Sequence, residues 1–405
     1  MAISLPDDGN RMSRRIRIGL GLALVAGAAL ALLILTHSDD SNGATIARVA
    51  TGLENPRGIA VLPDGRLLVV QAGNGLDTDD PTLETGSLGI LDDLNQDGDY
   101  DDPGEIEPVL SQVASYNTLT EFGTGHDEVG GLGDIVVLGD GRIFLTRDDP
   151  SVGYAPDGSS RGINVAEISP DFTFVRNLIA RYATLNALAY DPGVGVFYIV
   201  GSGANQAIAV TTDGTVSVVV GFPTLEQGQQ SVPSGIAIDP TTGDLLVVLF
   251  SGQFGDETGG VVSYEPGASR VVRLDPATGA QTDEITGLTT AVDVAVDEVG
   301  NVFVVQLTSG VPPPRMSRDF DLFDPNSEPD PGGYNRFAGS VTMYPADGSD
   351  PVPLATGLDS PTNITYAGGA LYVSVGQGTP GRPIIGPKGE TRIVGEIYRI
   401  TGFSS

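Results

Sequence analysis

The sequence has 405 residues with no cysteine, no tryptophan, two histidines and one lysine, Lys388. The absence of cysteine excludes disulfides, thiolate metal sites and a thiol nucleophile. His37 and His126 are the only imidazoles, so the sequence does not indicate a Ser-His-Asp hydrolase. It also contains no glycine-rich loop between a strand and a helix, so nucleotide binding is not indicated.

Basic residues are few as well. There are 21 Lys and Arg against 52 Asp and Glu, which gives a formal net charge of −31. Such a surface repels nucleic acid and anionic lipid headgroups, and it attracts divalent cations or basic partners. The simpler alternative is an acidic exterior that keeps the protein soluble.

One long apolar run stands near the N-terminus. Residues 18–35 are all Gly, Ala, Leu, Ile or Val, and at 1.5 Å per residue they would span roughly 27 Å. Arginines precede the run and aspartates follow it, a charge order that keeps the N-terminus cytoplasmic. We therefore expect a tail over 1–17, a single transmembrane signal anchor over 18–36, a linker over 37–44, and an extracytoplasmic remainder at the cell membrane. The alternative is a cleaved signal peptide and a secreted protein.

The rest of the chain repeats one motif six times. Its first copy, NPRGIAVLPDGRLLVV at 55–70, predicts two short strands joined by a tight turn with glycine at a position of positive φ. The turn glycines of the six copies are Gly65, Gly141, Gly195, Gly243, Gly300 and Gly369. A strand-rich repeat of this length indicates a propeller or a solenoid.

Two further short strands follow most copies, which favours four-stranded blades. The sixth copy has no fourth strand before the C-terminus, whereas Thr45–Thr51 precedes the first copy as an unassigned strand. Pairing the two would close the ring and remove exposed sheet edges. The sequence therefore predicts an all-β, six-bladed β-propeller over 45–403, closed by one N-terminal and three C-terminal strands.

An insertion in the first repeat has the spacing of a calcium-binding loop. Oxygen-bearing side chains alternate around Gly98, which permits a sharp turn. The carboxylate expected at the twelfth position arrives one residue late. The alternative is an acidic surface hairpin. The candidate Ca²⁺ ligands are Asp93, Asn95, Asp97, Asp99, Asp101 and Glu105.

Polar residues also recur at the starts of the innermost strands, where propellers commonly bind ligands. Aligned on the six copies, these positions would face one another around the channel axis. The alternative is that they cap strand starts or hold channel water. The candidate channel ligands are Asp134, Asn186, Asp293 and Asn363.

The phrases GLENPRGIAVLPDGRLLVVQAG and GLDSPTNITYAGGALYVSV, with a closing GEIYRITG, resemble the ScyD/ScyE family of exported bacterial propellers, relatives of NHL-repeat and regucalcin-like proteins. The resemblance covers 45–402 and implies the fold, whereas most members of that family have no assigned reaction. Regucalcin and gluconolactonase relatives bind a divalent cation in the channel, and the resemblance carries that role to Asn186 and, less fully, to Asp293.

Long connections in the first, second and fifth repeats suggest a face that binds a protein or a small molecule. We expect those of the first and fifth repeats to border one face. With no catalytic constellation in the sequence, our first hypothesis is a membrane-anchored binding or scaffold module rather than an enzyme. The alternative is a calcium-assisted hydrolase, similar to lactonases, acting at the channel. A third hypothesis, quinone-dependent sugar oxidation, rests on His126 alone.

Overall fold

The computed structural model describes residues 43–76, 83–117, 124–148, 162–226, 228–252, 254–255, 261–262, 264–313, 316–317 and 334–403. The expected tail, the expected anchor and nearly all of the linker lie outside these residues. In the part of the chain that is described, no helix is long and apolar enough to cross a membrane.

Twenty-four strands form six antiparallel four-stranded sheets, one for each repeat, and we number these blades one to six. From the inside outward, blade one consists of Pro56–Val61, Leu67–Gln71, Gly86–Leu91 and Ile106–Val113. Blade two consists of Leu132–Val137, Ile143–Asp148, Gly162–Ile168 and Phe174–Ala183. Blade three consists of Leu185–Asp191, Val196–Gly201, Gln206–Thr211 and Val216–Gly221. Blade four consists of Pro233–Ile238, Leu245–Leu249, Ser269–Leu274 and Gln281–Leu288. Blade five consists of Ala291–Val296, Val302–Gln306, Gly339–Tyr344 and Val352–Leu358. Blade six consists of Asn363–Ala367, Ala370–Val375, Gly395–Thr401 and Thr45–Leu53.

The N-terminal strand closes the ring, as predicted. Thr45–Leu53 lies antiparallel to Gly395–Thr401, with Thr45 opposite Thr401 and Leu53 opposite Gly395. The innermost strands of successive blades touch all the way round, and that of blade six touches that of blade one. The six-bladed propeller with one N-terminal and three C-terminal strands in its last blade is therefore confirmed.

The six predicted turn glycines all adopt positive φ, between 70° and 93°. L-residues with a Cβ rarely take this conformation, so glycine at these positions lets the first two strands of each blade join through a tight turn. The repeated glycine is thus the local reason why each copy folds as a hairpin.

In the described residues the core has seven hydrophobic clusters. Six are mainly aliphatic, and each fills the interface between two neighbouring blades; the seventh consists of Phe250, Tyr264, Leu307 and Tyr334. Between blades two and three, for example, the rings of Phe144 and Phe197 lie 4.5 Å apart among Leu, Ile and Val side chains. Successive side chains point to opposite faces of a strand, and strands such as Leu245–Leu249 are buried throughout, so they present apolar side chains to both neighbouring blades. Val, Ile, Leu and Ala dominate the packing.

We call the end of the ring where the innermost strands begin the mouth face. Connections between second and third strands, and from one blade to the next, lie on this face because consecutive strands alternate in direction. Four two-stranded ribbons decorate these connections: Tyr116–Asn117 with Val129–Gly130, Thr124–Gly125 with Met316–Ser317, Phe254–Gly255 with Val261–Val262, and Pro383–Gly386 with Gly389–Arg392.

One expectation about the long connections is wrong. The acidic insertion at 92–105 joins the third and fourth strands of blade one, so it lies on the face opposite the mouth. The long connection of blade five joins its second and third strands and leaves from the mouth face. The two insertions therefore do not border the same face.

Candidate functional site

The predicted channel residues lie at the starts of the innermost strands, and their side chains join neighbouring blades. Asp134 of blade two accepts the backbone N–H of Leu188 of blade three at 2.9 Å, and its other oxygen accepts that of Ile135 at 2.9 Å. Asn186 of blade three donates to the carbonyl of Pro233 of blade four at 2.7 Å. These bonds tie blades two, three and four around the axis.

Blades five and six repeat the arrangement. One carboxylate oxygen of Asp293 accepts the side-chain amide of Asn363 at 2.7 Å and the backbone N–H of Ile364 at 3.0 Å. The blade before each aspartate carries glycine at the equivalent position. A Cβ on Gly58 would lie 2.8 Å from the Asp134 carboxylate, and one on Gly235 would lie 2.5 Å from that of Asp293. Each aspartate needs the preceding glycine.

Burial dominates the electrostatics of the two aspartates. Removal from water raises the pKa of Asp134 to about 6, against the stabilising bonds from Leu188 and Ile135. Burial, together with the charge of Asp134, raises the pKa of Asp293 well above its ordinary value. Desolvation disfavours the charged form of a carboxyl group, so both carboxyls bind a proton more readily than an exposed aspartate does.

A cation held by these channel residues remains a prediction. The donors are of the type that Ca²⁺ prefers, but Asp134 uses both oxygens and Asp293 one of its two in the bonds described above. In the described residues, no group of three or more His, Cys, Asp or Glu side chains is arranged to hold a metal ion. We therefore derive no chemical step through a metal.

The predicted calcium loop uses its oxygens on its own backbone. Glu105 is 1% exposed, and its carboxylate accepts the N–H groups of Leu94, Asn95 and Asp102 at 3.0, 3.4 and 3.1 Å. Asp93 accepts those of Asp97 at 3.1 Å and Gly98 at 3.0 Å. Three of the other candidates do the same along the loop: Asn95 accepts from Asp97, Asp97 from Asp99, and Asp99 from Asp101.

The loop also packs against the strand that closes the ring. The N–H of Tyr100 donates to the carbonyl of Val49 at 2.7 Å, and Asp101 lies 3.5 Å from the guanidinium of Arg48. Gly98 has φ of 98°, as the sharp turn requires. The insertion is thus an ordered acidic hairpin beside the closure seam, and calcium binding there stays a prediction.

A different pair of charged side chains meets at the mouth face. Arg57 precedes Gly58 at the start of the innermost strand of blade one, and Glu128 lies in the connection from blade one to blade two. Nη2 of Arg57 is 4.0 Å from Oε1 of Glu128 and donates to the carbonyl of Val129 at 2.5 Å. Within the described residues, the Arg57 side chain makes no other hydrogen bond and the Glu128 carboxylate accepts none, whereas the backbone carbonyl of Arg57 accepts the hydroxyl of Ser374. A guanidinium carries five N–H donors and a carboxylate several acceptor sites, so the described residues occupy only a small part of the hydrogen-bonding capacity of the pair.

Both side chains of this pair are partly exposed. The side chains of Arg57 and Glu128 keep 17% and 35% of their surface exposed. Burial nevertheless raises the pKa of Glu128; the charge of Arg57 opposes the rise and that of Asp127 adds to it. Burial likewise lowers the pKa of Arg57. The Glu128 carboxylate is therefore reachable from solvent, although the surrounding protein removes part of its hydration.

Aromatic rings form one wall near the pair. Tyr334 stacks on His126 with ring centroids 4.4 Å apart and on Tyr264 at 6.0 Å, and Phe250 meets it edge-on at 6.3 Å. Tyr116 and Tyr334 lie close enough to Arg57 to act on its pKa. His126 is 3% exposed. Because a catalytic base must reach its substrate, this burial gives no support to the quinone-dependent hypothesis.

This pair was not predicted from the sequence. Arg57 aligns with the channel positions but was not among the candidates, and neither was Glu128 in GTGHDEVGG. The available signal was a run of three titratable residues, His126 to Glu128, directly before an innermost strand. That signal was too weak alone, because only the fold brings this connection beside the start of blade one.

The fold and this site define the chain as a six-bladed β-propeller with a partly exposed arginine–glutamate pair at its mouth face. No protein-family model matches the sequence, and no curated protein sequence matches it significantly. Among solved structures, it is similar to the Trichoderma reesei structure of Carbohydrate-Active Enzymes Family AA12, with a TM-score of 0.52, 13% identity, and 89% of this chain and 96% of that chain covered.

Two further solved structures are similar along most of the chain. One is a Thermus thermophilus protein described as an oxidoreductase (glucose dehydrogenase), with a TM-score of 0.50, 14% identity, and 88% and 100% of the two chains covered. The other is a gluconolactonase from Xanthomonas campestris, with a TM-score of 0.49, 11% identity, and 88% and 89% covered. At these identities the similarity establishes the propeller fold alone.

Proposed function

We propose that the protein is a hydrolase that opens small cyclic esters at the mouth of its channel, with Glu128 as general base and acid and Arg57 as the group that stabilises the oxyanion. The single observation that carries the proposal is the Arg57–Glu128 pair, which is partly exposed at the mouth face and whose side chains, among the described residues, hydrogen-bond only to the carbonyl of Val129. This favours the hydrolase alternative over the scaffold hypothesis that the sequence suggested first.

The chemistry follows from the two groups. Glu128 accepts a proton from water as the oxygen attacks the ester carbonyl, and Arg57 donates N–H groups to the oxyanion that forms. When the tetrahedral intermediate collapses, the ring C–O bond breaks, and the alkoxide takes the proton from Glu128. One water is consumed, and the product is a hydroxy acid. The raised pKa of Glu128 makes it a stronger base for this role.

We choose the substrate class to test from the solved structures that have a similar fold. They include a protein described as a glucose dehydrogenase and a structure of a carbohydrate-active enzyme family, so sugar-derived lactones are the substrates to test first. The residues of this chain, and not that similarity, carry the mechanism.

The test is hydrolysis of a set of five- and six-membered lactones, followed by proton release. Glu128→Gln should lower kcat/KM by roughly 10²- to 10⁴-fold, because the base is lost. Arg57→Gln should lower it by about 10²- to 10³-fold, as expected for an oxyanion donor. Glu226→Gln, an exposed glutamate on the same face, is the matched control and should leave the rate unchanged. Equal rates for Glu128→Gln and the wild type would contradict the proposal.

We further propose that residues 18–36 anchor the protein in the cell membrane with the propeller outside. The support is the apolar run between arginines and aspartates. The full-length chain should sediment with membranes and resist extraction by high salt or alkali. A soluble mature protein whose N-terminus begins after the apolar run would contradict the anchor and show a cleaved signal.

A further inference from the structure

Directly beside Glu128, a buried ion pair joins two mouth-face segments. The Asp127 carboxylate lies 2.5 Å from Nε of Arg382, and the two side chains are 1% and 2% exposed. Arg382 belongs to the connection between the second and third strands of blade six. Asp127 belongs to the connection that carries Glu128 from blade one to blade two. The pair therefore fixes one segment upon the other.

Further donors complete the arrangement around Asp127. Its carboxylate accepts the backbone N–H of Thr379 at 2.9 and 3.0 Å, the hydroxyl of Thr379 at 2.6 Å, and the side-chain amide of Asn117 at 2.8 Å. Gly378 approaches so closely that a Cβ there would lie 3.0 Å from the same carboxylate and 3.2 Å from the Asp127 carbonyl. Each acceptor oxygen of Asp127 is thus directed at blade six.

The contacts continue to the other member of the catalytic pair. The carbonyl of Val129 accepts Nη2 of Arg57, and it also accepts the side-chain amide of Gln377 at 3.4 Å. Glu128 is therefore flanked on both sides by residues bonded to the blade-six segment 377–382. The Glu128 carboxylate itself faces the guanidinium of Arg57.

From this geometry we propose that Asp127 and Arg382 are positioning residues, which hold Glu128 against Arg57 and set the electrostatic potential at the Glu128 carboxylate. The inference rests on the proposed function for its catalytic consequence, but the electrostatic part is independent of any reaction. The charged or titratable groups around Glu128 are Arg57, Asp127 with Arg382, Tyr116, Tyr334 and His126.

The two members of the pair should act on Glu128 in opposite directions. Asp127 raises the pKa of Glu128, so Asp127→Asn should lower it, and the unpaired charge of Arg382 should lower it further. Arg382→Gln leaves Asp127 without its cation and should raise the pKa of Glu128. The double variant should return it towards the wild-type value. A pair that served only to hold the loops together would not produce opposite shifts.

The measurement is the titration of the Glu128 carboxyl by NMR with ¹³C-labelled glutamate, assigned by the loss of its signal in Glu128→Gln. Opposite shifts in the two single variants support the inference, and shifts in the same direction or no shifts overturn it. Because removing half of a buried pair can unfold a protein, Arg382→Lys provides the second test. It keeps the charge and should keep the pKa of Glu128, while Arg382→Gln alters it.

Activity adds a separate measurement. If lactones are hydrolysed, the acidic limb of the kcat/KM profile should move to lower pH in Asp127→Asn and to higher pH in Arg382→Gln. Arg382→Lys should lower kcat without moving the limb, because the ammonium lacks the planar geometry of the guanidinium. An absence of hydrolysis in the wild type would contradict the proposed function, whereas the NMR titration would still decide the role of Asp127 and Arg382.

Discussion

Asp134 and Asp293 stand at equivalent places on the innermost strands of blades two and five, and the charge of Asp134 raises the pKa of Asp293. In a closed ring of six, these blades lie across the channel from each other. Each carboxylate also accepts a backbone N–H from the next blade, Leu188 or Ile364. The same two side chains therefore hold the ring together and place unfavourable charge at its centre.

This gives a pH dependence of stability with a definite sign. The pKa of Asp134 is about 6 in the folded protein, above its ordinary 3.8. The stability that the folded protein gains by binding a proton at Asp134 is fully present below the ordinary pKa, and it is lost as pH rises through about 6. Relative to Asp134→Asn, the wild type should lose up to about 3 kcal/mol of unfolding free energy between about pH 4 and pH 7. Urea denaturation of both proteins at several pH values measures this.

An exposed aspartate in the same blade is the control. Arg142 lowers the pKa of Asp140 through hydrogen bonds, so Asp140→Asn should show a small difference from the wild type of opposite sign. Unfolding curves for wild type and Asp134→Asn that change in parallel with pH would contradict the prediction.

Ring closure predicts a strong effect from one residue of the N-terminal strand. Val49 is 0% exposed in the cluster between blades six and one. Val49→Asp should cost about 3 kcal/mol or more because a charge is buried without a partner, whereas Thr45→Asp at the exposed start of the strand should cost little. Thermal unfolding measures both, and equal midpoints would contradict the closure seam's role in stability.

The acidic insertion offers a test that separates its backbone role from calcium binding. Glu105→Ala removes the acceptor of three backbone N–H groups, so it should destabilise the protein by about 1–3 kcal/mol with or without calcium. If calcium binds the folded wild type, a roughly hundredfold excess over Kd would raise its free energy of unfolding by about 2.7 kcal/mol.

For the ion itself, the decisive variant is the double change Asp93→Ala, Asp97→Ala. It should abolish the rise in melting temperature that roughly millimolar calcium produces in the wild type. If the melting temperature of the double variant rises as much as that of the wild type, the ion binds elsewhere, and Asn186 and Asp293 are the next residues to test. No rise in the wild type would leave the insertion as an acidic hairpin.

The net charge of −31 predicts a preference among substrates. At the site, Arg57 is already balanced by Glu128, so an uncharged lactone should react faster than a matched anionic one. Salt screens such repulsion beyond about 8–10 Å at physiological ionic strength. The ratio of the two kcat/KM values should therefore fall as salt is added, and a ratio independent of salt would contradict the prediction.

Much of the fold was predictable because it is encoded locally and repeatedly. Gly65 and its five counterparts mark one turn per blade, and the N-terminal strand was placed correctly because one strand was missing at the other end of the chain. The misplacement of the acidic insertion came from assigning it to the wrong connection, although its own flanking strands were correctly identified.

The site was less predictable because it depends on contacts between distant segments. Arg57 and Glu128 are brought together only when blade two packs on blade one. Before four of the innermost strands, the backbone adopts positive φ at residues other than glycine, including Val232 at 46° and Thr290 at 48°. β-branched residues avoid this conformation, so the sequence gives no local signal for these corners at the mouth.

The closing strand also determines the order in which the chain can be completed. Arg48 and its partner Glu396 are separated by 348 residues, and ribosomes add about 5–20 residues per second. The first strand therefore waits roughly 20 to 70 seconds for its partner to be made. During that interval Thr45–Leu53 presents unpaired N–H and C=O groups to any exposed strand edge nearby. Blade six is the last to form, and a chain that stops short of Gly395 leaves its first strand unpaired.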